Sequence, residues 1–348
     1  MVGKRSSRDI RSESRLDVLH ALLSAGTSTR GELAQVTGLS IATVATIVQE
    51  LRGEGLVADA GSSALGAGRP TTMLRVNGDR GRILGIDVAE TYVRAIVFDA
   101  ALEEVGSVEV PMDESLPSVG SVTESIVRAV DTALSETGVD RAHVLGAGVA
   151  LPGLISAEES ADAVAPRWAA RNVEVLHRLR ERIGLPLVVE NPLKAIATAE
   201  LWFGRGRTAS SMVIANLGTG VGAGIVLEGK ILRGATHSAG EWGHAVLVLD
   251  GRSCRCGRLG CVEAYVGAPG IQQTLREIAP DHELARVPQR EFIDGLARAH
   301  RESGGDPVVE EVLERTAHYL GVALGDLASI IDPEVMMLTG WTAWALGD

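Results

Sequence analysis

All three cysteines of this 348-residue chain fall within a short stretch, at Cys254, Cys256 and Cys261, and His244 precedes them by nine intervening residues. Three thiolates and one imidazole complete a tetrahedral zinc shell and leave no open coordination position. Gly257 and Gly260 let the backbone wrap a small ion. Buried, inert cysteines have no need to cluster, whereas metal ligands do. The spacing therefore predicts a structural Zn2+ held by His244, Cys254, Cys256 and Cys261, pinning a loop rather than activating a water. Glu241 stands three residues before His244, and Glu263 two residues after Cys261. A pinned loop would hold both carboxylates in place to accept hydroxyl hydrogen bonds, as a sugar requires. From spacing alone, two solvated glutamates fit equally well.

The elements that must position this loop are those of an α/β body. Residues 83–87, 93–99 and 105–111 read as consecutive strands, followed by a helix over 119–137 and a strand over 144–149. Another strand over 185–190 delivers Asn191 at its carboxyl end. Residues 211–217 and 221–227 form a hairpin through Gly218-Thr219-Gly220. Strands alternating with helices imply layered α/β architecture. Neither heptads nor tandem repeats are visible.

The first 80 residues differ in character. They carry ten Lys/Arg against eight Asp/Glu, whereas the whole chain has 33 against 45 and a net charge of −12. A mildly basic head on an acidic body is compatible with DNA contact through the head alone. A basic, polar arm leads into a helical spacing of Leu16, Leu19, Leu22 and Leu23, ended by Gly26. Thr29 with Glu32 forms a capping box for a second helix, which is expected to turn Leu33, Ala34 and Val36 inward. Gly38 marks a tight turn, and Ser40 caps a third helix carrying Val44, Ile47, Val48 and Leu51. Helix, glycine turn, helix is the helix-turn-helix pattern, with the third helix in the reading position. Its exposed start places Ser40, Ile41, Ala42, Thr43 and Thr46 against base edges and phosphates; such small, uncharged groups suit thymine methyls. A strand from Gly55-Leu56-Val57, a turn over 61–68 and alternating Met73, Leu74, Val76 make a β-wing. Arg69 at the wing tip is placed to enter a minor groove.

The run Gly-Glu-x-Gly-His at 240–244 followed by Cys-x-Cys-Gly-x-x-Gly-Cys-x-Glu at 254–263 resembles the signature of the ROK family of sugar kinases and sugar-responsive repressors. The head, with its Gly-Arg-Pro wing at 68–70, resembles the winged helix-turn-helix of the family's repressors. The resemblance runs from about Ser14 to the end of the chain. It implies a winged helix-turn-helix domain over residues 1–80, then a two-lobed actin/hexokinase-like α/β body with its first lobe over 81–190 and its second, zinc-bearing lobe over 191–348. It implies zinc at His244, Cys254, Cys256 and Cys261, and sugar contacts at Gly153, Asn191, Glu241, His244 and Glu263. Family members continue beyond the strand and turn at 335–340, so the second lobe is expected to be truncated at its carboxyl end.

The resemblance also marks departures. Family kinases carry Asp-x-Gly-Gly-Thr after the first strand, where bare backbone amides cradle phosphate; here the run is Asp87-Val88-Ala89-Glu90-Thr91. Their catalytic base is the aspartate of Glu-Asn-Asp; here the triplet is Glu190-Asn191-Pro192, and the proline at the base's position cannot accept a proton. Of the glycine run near the carboxyl terminus, Leu338-Thr339-Gly340-Trp341 keeps one glycine. The expectation is a catalytically inactive body acting as effector sensor: a cytoplasmic, homodimeric or homotetrameric repressor that reads a palindromic operator and answers to a sugar bound between its lobes. Loss of the aspartate at 192 suits a pentose or acylated sugar, or equally a decayed pocket. The competing readings are an ATP-dependent sugar kinase and a repressor governed by a protein partner. Residues 1–8 lack the apolar run of a secretion signal, and no apolar run in the chain is long enough to span a bilayer.

Overall fold

A computed structural model describes residues 7–63, 71–112, 118–153, 166–302 and 305–347, which divide into two compact units. Among the described residues, the first unit runs to Gly153 and includes 166–190; the second begins at Asn191.

The first unit opens with three helices and a two-stranded wing. These are α1 (Ser7–Ala25), α2 (Arg30–Thr37), α3 (Ile41–Gly53), β1 (Val57–Ser63) and β2 (Thr71–Val76). The capping box forms as read: Glu32 N–H donates to Thr29 Oγ1 at 3.2 Å, and Thr29 N–H donates to the Glu32 carboxylate at 2.7 Å. Gly38 takes φ 68°, a left-handed turn that a side chain would strain, and reverses the chain between α2 and α3. The two helices meet at a bend of 114°, inside the range for helix-turn-helix pairs. Val44, Ile47, Val48 and Leu51 are buried against Val18, Leu22, Leu33 and Leu74. One expectation fails here. Val36 is 75% exposed, since only Leu33 is buried on the short α2; on α1, Val18, Ala21 and Leu22 are buried and Leu16 is 65% exposed. Helix α1 also begins earlier than the apolar spacing suggests. It is held against the end of α3 by ion pairs from Arg11 to Glu50 and from Arg15 to Glu50 and Glu54.

The sheet of the first unit has the order β5-β4-β3-β6-β7. Its strands are β3 (Arg82–Val88), β4 (Tyr92–Asp99), β5 (Glu104–Pro111), β6 (Val144–Ala150) and β7 (Leu187–Glu190). β3, β4 and β5 form an antiparallel meander, while β6 lies parallel to β3 and β7 parallel to β6. Alternation buries Leu84, Ile86 and Val88 on β3 and Val93, Ala95 and Val97 on β4. Helix α4 (Val119–Thr137) contributes Ile126, Ala129, Val130 and Ala133 to the buried set, and α5 (Pro166–Ile183) follows β6 in the chain.

The second unit opens with α6 (Pro192–Phe203) and has a sheet of order β10-β9-β8-β11. The strands are β8 (Met212–Leu217), β9 (Val221–Leu227), β10 (Lys230–Ile231) and β11 (Val335–Thr339). Here too a meander is joined by a strand parallel to its first member, β11 beside β8. β8 and β9 are apolar almost without interruption because both faces are covered. Met212, Ile214 and Val226 pack with Ala197 of α6, whereas Val213, Ala223 and Ile225 pack with Leu327 of α10 (Pro307–Ile331). Between β10 and α10 run the cysteine loop, α7 (Glu263–Val266), α8 (Ala268–Ile278) and α9 (Gln289–Arg301); α11 (Trp341–Leu346) follows β11. No single helix among the described residues is long and apolar enough to cross a membrane.

Candidate metal centre and effector site

The cysteine loop is built by backbone hydrogen bonds before any ion is considered. Cys254 N–H donates to Arg258 O at 2.9 Å and Gly257 N–H to Cys254 O at 2.9 Å, closing a tight turn over 254–258. Gly260 N–H donates to Arg252 O at 2.7 Å, and Gly260 O accepts from Leu247 and Val248. A side chain at Gly260 would be impossible, since φ is 73° and its Cβ would fall 1.7 Å from Val248 O. Isolated bridges between Val246 and Cys261 and between Ser253 and Leu259 complete the frame.

That frame brings His244, Cys254, Cys256 and Cys261 together, with one ligand atom from each lying within 4.8 Å of all the others. Cys254 Sγ lies 3.7 Å from His244 Nδ1, and Cys256 Sγ lies 3.7 Å from Cys261 Sγ. Zinc–sulfur bonds of about 2.3 Å at tetrahedral angles put two sulfurs roughly 3.8 Å apart. The donor set and its spacing therefore fit a closed metal site. Burial pushes the Cys254 thiol up to about 12 and raises that of Cys261 as well. Burial acts in the same sense on Cys256, but hydrogen bonds from the Arg258 backbone and side chain and from the neighbouring thiols outweigh it and hold this thiol low. Such thiols become thiolates together only when a cation supplies compensating charge.

His244 presents Nδ1 to the sulfurs and Nε2 to Glu241, whose Oε2 is 4.0 Å away. An ion on Nδ1 would fix the proton on Nε2, directed towards the same side as the Glu241 carboxylate. Glu241 is half exposed at the start of a 3-10 turn over Trp242–His244. Glu263 differs sharply. It opens α7, is buried, and accepts hydrogen bonds from Val221 N–H at 3.0 Å and from Arg255 Nε at 2.8 Å. Asn191 caps α6, its Oδ1 accepting from Leu193 N–H at 2.9 Å, and Pro192 takes the first helical position, where its missing N–H has no intrahelical partner to lose. Gly153 belongs to the other unit, just past β6.

Two residues of this neighbourhood escape sequence reading. Arg252 reaches from the loop to Gly270 O at 3.0 Å, Ala264 O at 3.3 Å and Thr274 Oγ1 at 3.0 Å, and stacks over the Tyr265 ring at 4.7 Å. It ties the loop to α7 and α8. Arg255, the residue between two cysteines, grips Glu263. Neither sits in a spacing pattern; a positively charged residue inside a cysteine motif was the only signal.

In the first unit, the run 87–91 is an ordinary hairpin turn joining β3 to β4. Ala89 N–H donates to Tyr92 O at 2.9 Å, and none of Ala89, Glu90 and Thr91 has positive φ. Tyr92 Oη donates to Asp87 Oδ2 at 3.2 Å, and burial raises the Asp87 pKa above the ordinary range in spite of that bond. On the reading helix, Ser40, Ile41, Ala42, Thr43 and Thr46 are all exposed. Ser40 Oγ accepts from Thr43 N–H at 3.1 Å, and Thr46 Oγ1 donates to Ala42 O at 3.0 Å, so these hydroxyls are engaged locally. Gln49, exposed three residues beyond Thr46 on the same face, was missed because it lies past the helix start. Arg69 and the wing tip lie outside the described residues.

A winged helix-turn-helix and an α/β sheet in the first unit, followed by a second α/β unit with a His/Cys3 cluster that could hold a metal, define a class of protein with a nucleic-acid-reading head and an actin-like body. The profile of the ROK family matches residues 83–342, and a profile of winged helix-turn-helix DNA-binding domains matches residues 11–58. The chain belongs to the ROK family. It is 26% identical to the xylose repressor of Caldicellulosiruptor bescii over 93% of its own length and 82% of that protein's. It is 30% identical to a glucokinase of Halalkalibacterium halodurans over 74% of this chain and 79% of the other. Among solved structures, a ROK family transcriptional regulator, described as a homologue of the E. coli MLC protein, superposes with a TM-score of 0.71 at 23% identity. That match covers 96% of this chain and 86% of the regulator.

Proposed function

We propose that this chain is a sugar-responsive transcriptional repressor whose body senses a sugar without phosphorylating it. The observation that carries this reading is the turn at 87–91. A phosphate cradle needs backbone amides pointing outward from a glycine-shaped loop, yet Ala89 N–H is bonded to Tyr92 O and Glu90 adds a carboxylate beside any phosphate. Pro192 in place of a general base supports the same conclusion, since it holds no proton acceptor. A reading head joined to a body without this machinery is a sensor.

In this reading, Ser40, Ile41, Ala42, Thr43 and Thr46 contact thymine methyls and phosphates, Gln49 pairs with an adenine edge, and Arg69 enters the minor groove. Asn191, Glu241, His244 and Glu263 bind the sugar. Zn2+ on His244, Cys254, Cys256 and Cys261 holds the loop that presents Glu241 and Glu263. The protein acts in the cytoplasm as a homodimer or homotetramer on a palindromic operator, and D-xylose is the first effector to try, given the relative named for it. Sugar releases DNA only through its differential affinity for the DNA-bound and free forms.

The test is selection of genomic fragments on the purified protein with and without a panel of sugars. Enriched palindromes that disappear with one sugar are the expected result. Palindromes indifferent to every sugar would transfer control to a protein partner, and no enrichment would remove the repressor reading altogether.

A further inference from the structure

Glu263 is the most deeply buried carboxylate of the candidate sugar site, with a side chain 7% exposed, and most of its acceptor positions are already occupied. A carboxylate offers about four lone-pair directions. Arg255 Nε donates to Oε1 at 2.8 Å, Arg255 Nη2 donates to Oε2 at 3.3 Å, and Val221 N–H donates to Oε2 at 3.0 Å. Cys254 Sγ lies 3.7 Å from Oε1. A hydroxyl approaching Glu263 finds three of its acceptor directions taken, two of them by Arg255.

Glu263 is anchored in α7 and by Val221, whereas the Arg255 side chain is 44% exposed on the cysteine loop. The pair lies against the turn between β8 and β9: a Cβ on Gly220 would fall 2.8 Å from Arg255 Nη2 and 3.5 Å from Glu263 Oε2. Only a glycine there leaves room for the guanidinium in this position.

We propose that Arg255 is a built-in competitor for the effector: its guanidinium holds the acceptor positions of Glu263 that a sugar hydroxyl needs, and the effector binds by displacing it. The proposal rests on the reading of Glu263 as a sugar acceptor. Displacement exchanges the charge-assisted pair on Glu263 for hydroxyl hydrogen bonds, so the ion pair lowers the apparent sugar affinity and sets the concentration at which the repressor responds. Because Arg255 is half exposed, salt weakens its grip, and added salt strengthens sugar binding to the wild-type protein.

The experiment is calorimetric titration of the zinc-loaded full chain with D-xylose, D-glucose and N-acetyl-D-glucosamine at low and high salt, for wild type, Arg255→Ala and Arg255→Lys. Zinc content is measured on each protein as the control for an intact loop. The expected result is that Arg255→Ala binds a sugar about five- to tenfold more tightly than wild type at low salt, the scale of a part-exposed, charge-assisted pair. Its affinity should no longer rise with salt, and Arg255→Lys, a single-point donor, should fall between. Equal or weaker binding by zinc-replete Arg255→Ala, with wild type binding the same sugar, overturns the competitor role and leaves the sensor reading standing. Binding of no sugar by either protein overturns both.

Discussion

Two histidine nitrogens a ring apart separate the two jobs of the candidate site. Nδ1 of His244 lies 3.7 Å from Cys254 Sγ and Nε2 lies 4.0 Å from Glu241, so in the proposed reading one side chain would couple metal to sugar. Replacing Cys256 by serine removes the thiol that its hydrogen bonds keep lowest in pKa. Zinc affinity is expected to fall by at least the 10–100-fold, roughly, that loss of an outer-shell partner costs, and the sugar response to vanish with it. Metal analysis after competition with a chelator checks the first effect and release of operator DNA the second. A variant that keeps both would leave the loop no part in signalling. On the reading helix, Gln49→Ala tests the residue that sequence spacing overlooked. Its loss is expected to cost about 1–3 kcal/mol of discrimination at one base pair and to leave the salt dependence of binding unaltered. Uniform weakening on every sequence would instead make Gln49 a phosphate contact.

At the scale of elements, what holds each site is more local than the site itself. Arg252 saturates two backbone carbonyls and a threonine at the base of the loop. Arg252→Ala should cost on the order of 1–3 kcal/mol for each buried acceptor left unpaired, seen as a lowered melting temperature of the metal-loaded protein. An unchanged melting temperature would mean that the cysteine frame is self-sufficient. The head has an acid-sensitive joint. A hydrogen bond from Arg15 holds the Glu54 pKa below the ordinary range. A depressed folded value contributes stability above the unfolded glutamate pKa of about 4.3 and loses it as pH falls through the folded value. Acid titration of head stability should therefore show a limb below roughly pH 4 that Arg15→Ala flattens. The helices and strands themselves were legible because each rule acts within a few residues: the Thr29 box, the Gly38 turn and the strands over 73–76 and 83–87 all form as read. Val36 was misassigned because a 3.6-residue period leaves the neighbouring face open, and tertiary packing buries only Leu33 of α2. In the site, ligand spacing revealed the cysteine cluster, but the Arg255–Glu263 pair joins a loop to a helix start, and no periodicity encodes such a contact.

At the scale of the whole chain, the same strand order recurs within each unit, a three-strand meander with a further strand parallel to its first member. No repeat in the sequence announces this, since the pattern resides in hydrogen-bond pairing and not in residue identity. Recurrence of the fold makes its two departures from kinase chemistry informative, because they lie in different units: the turn at 87–91 in the first and Pro192 in the second. Loss of a general base alone would cost about 10²–10⁴-fold and leave measurable turnover. In the proposed reading, a turn whose Ala89 amide is bonded within its own hairpin would remove ATP positioning as well. Restoring one unit is therefore expected to restore nothing. Wild type and Pro192→Asp should both fail to consume ATP in a coupled assay with xylose, glucose or N-acetylglucosamine. Pro192→Asp with Ala89→Gly and Glu90→Gly is the smallest set of changes from which activity could return. Turnover by Pro192→Asp alone would show that the turn at 87–91 opens to receive phosphate, and turnover by the wild type would return the chain to the kinases.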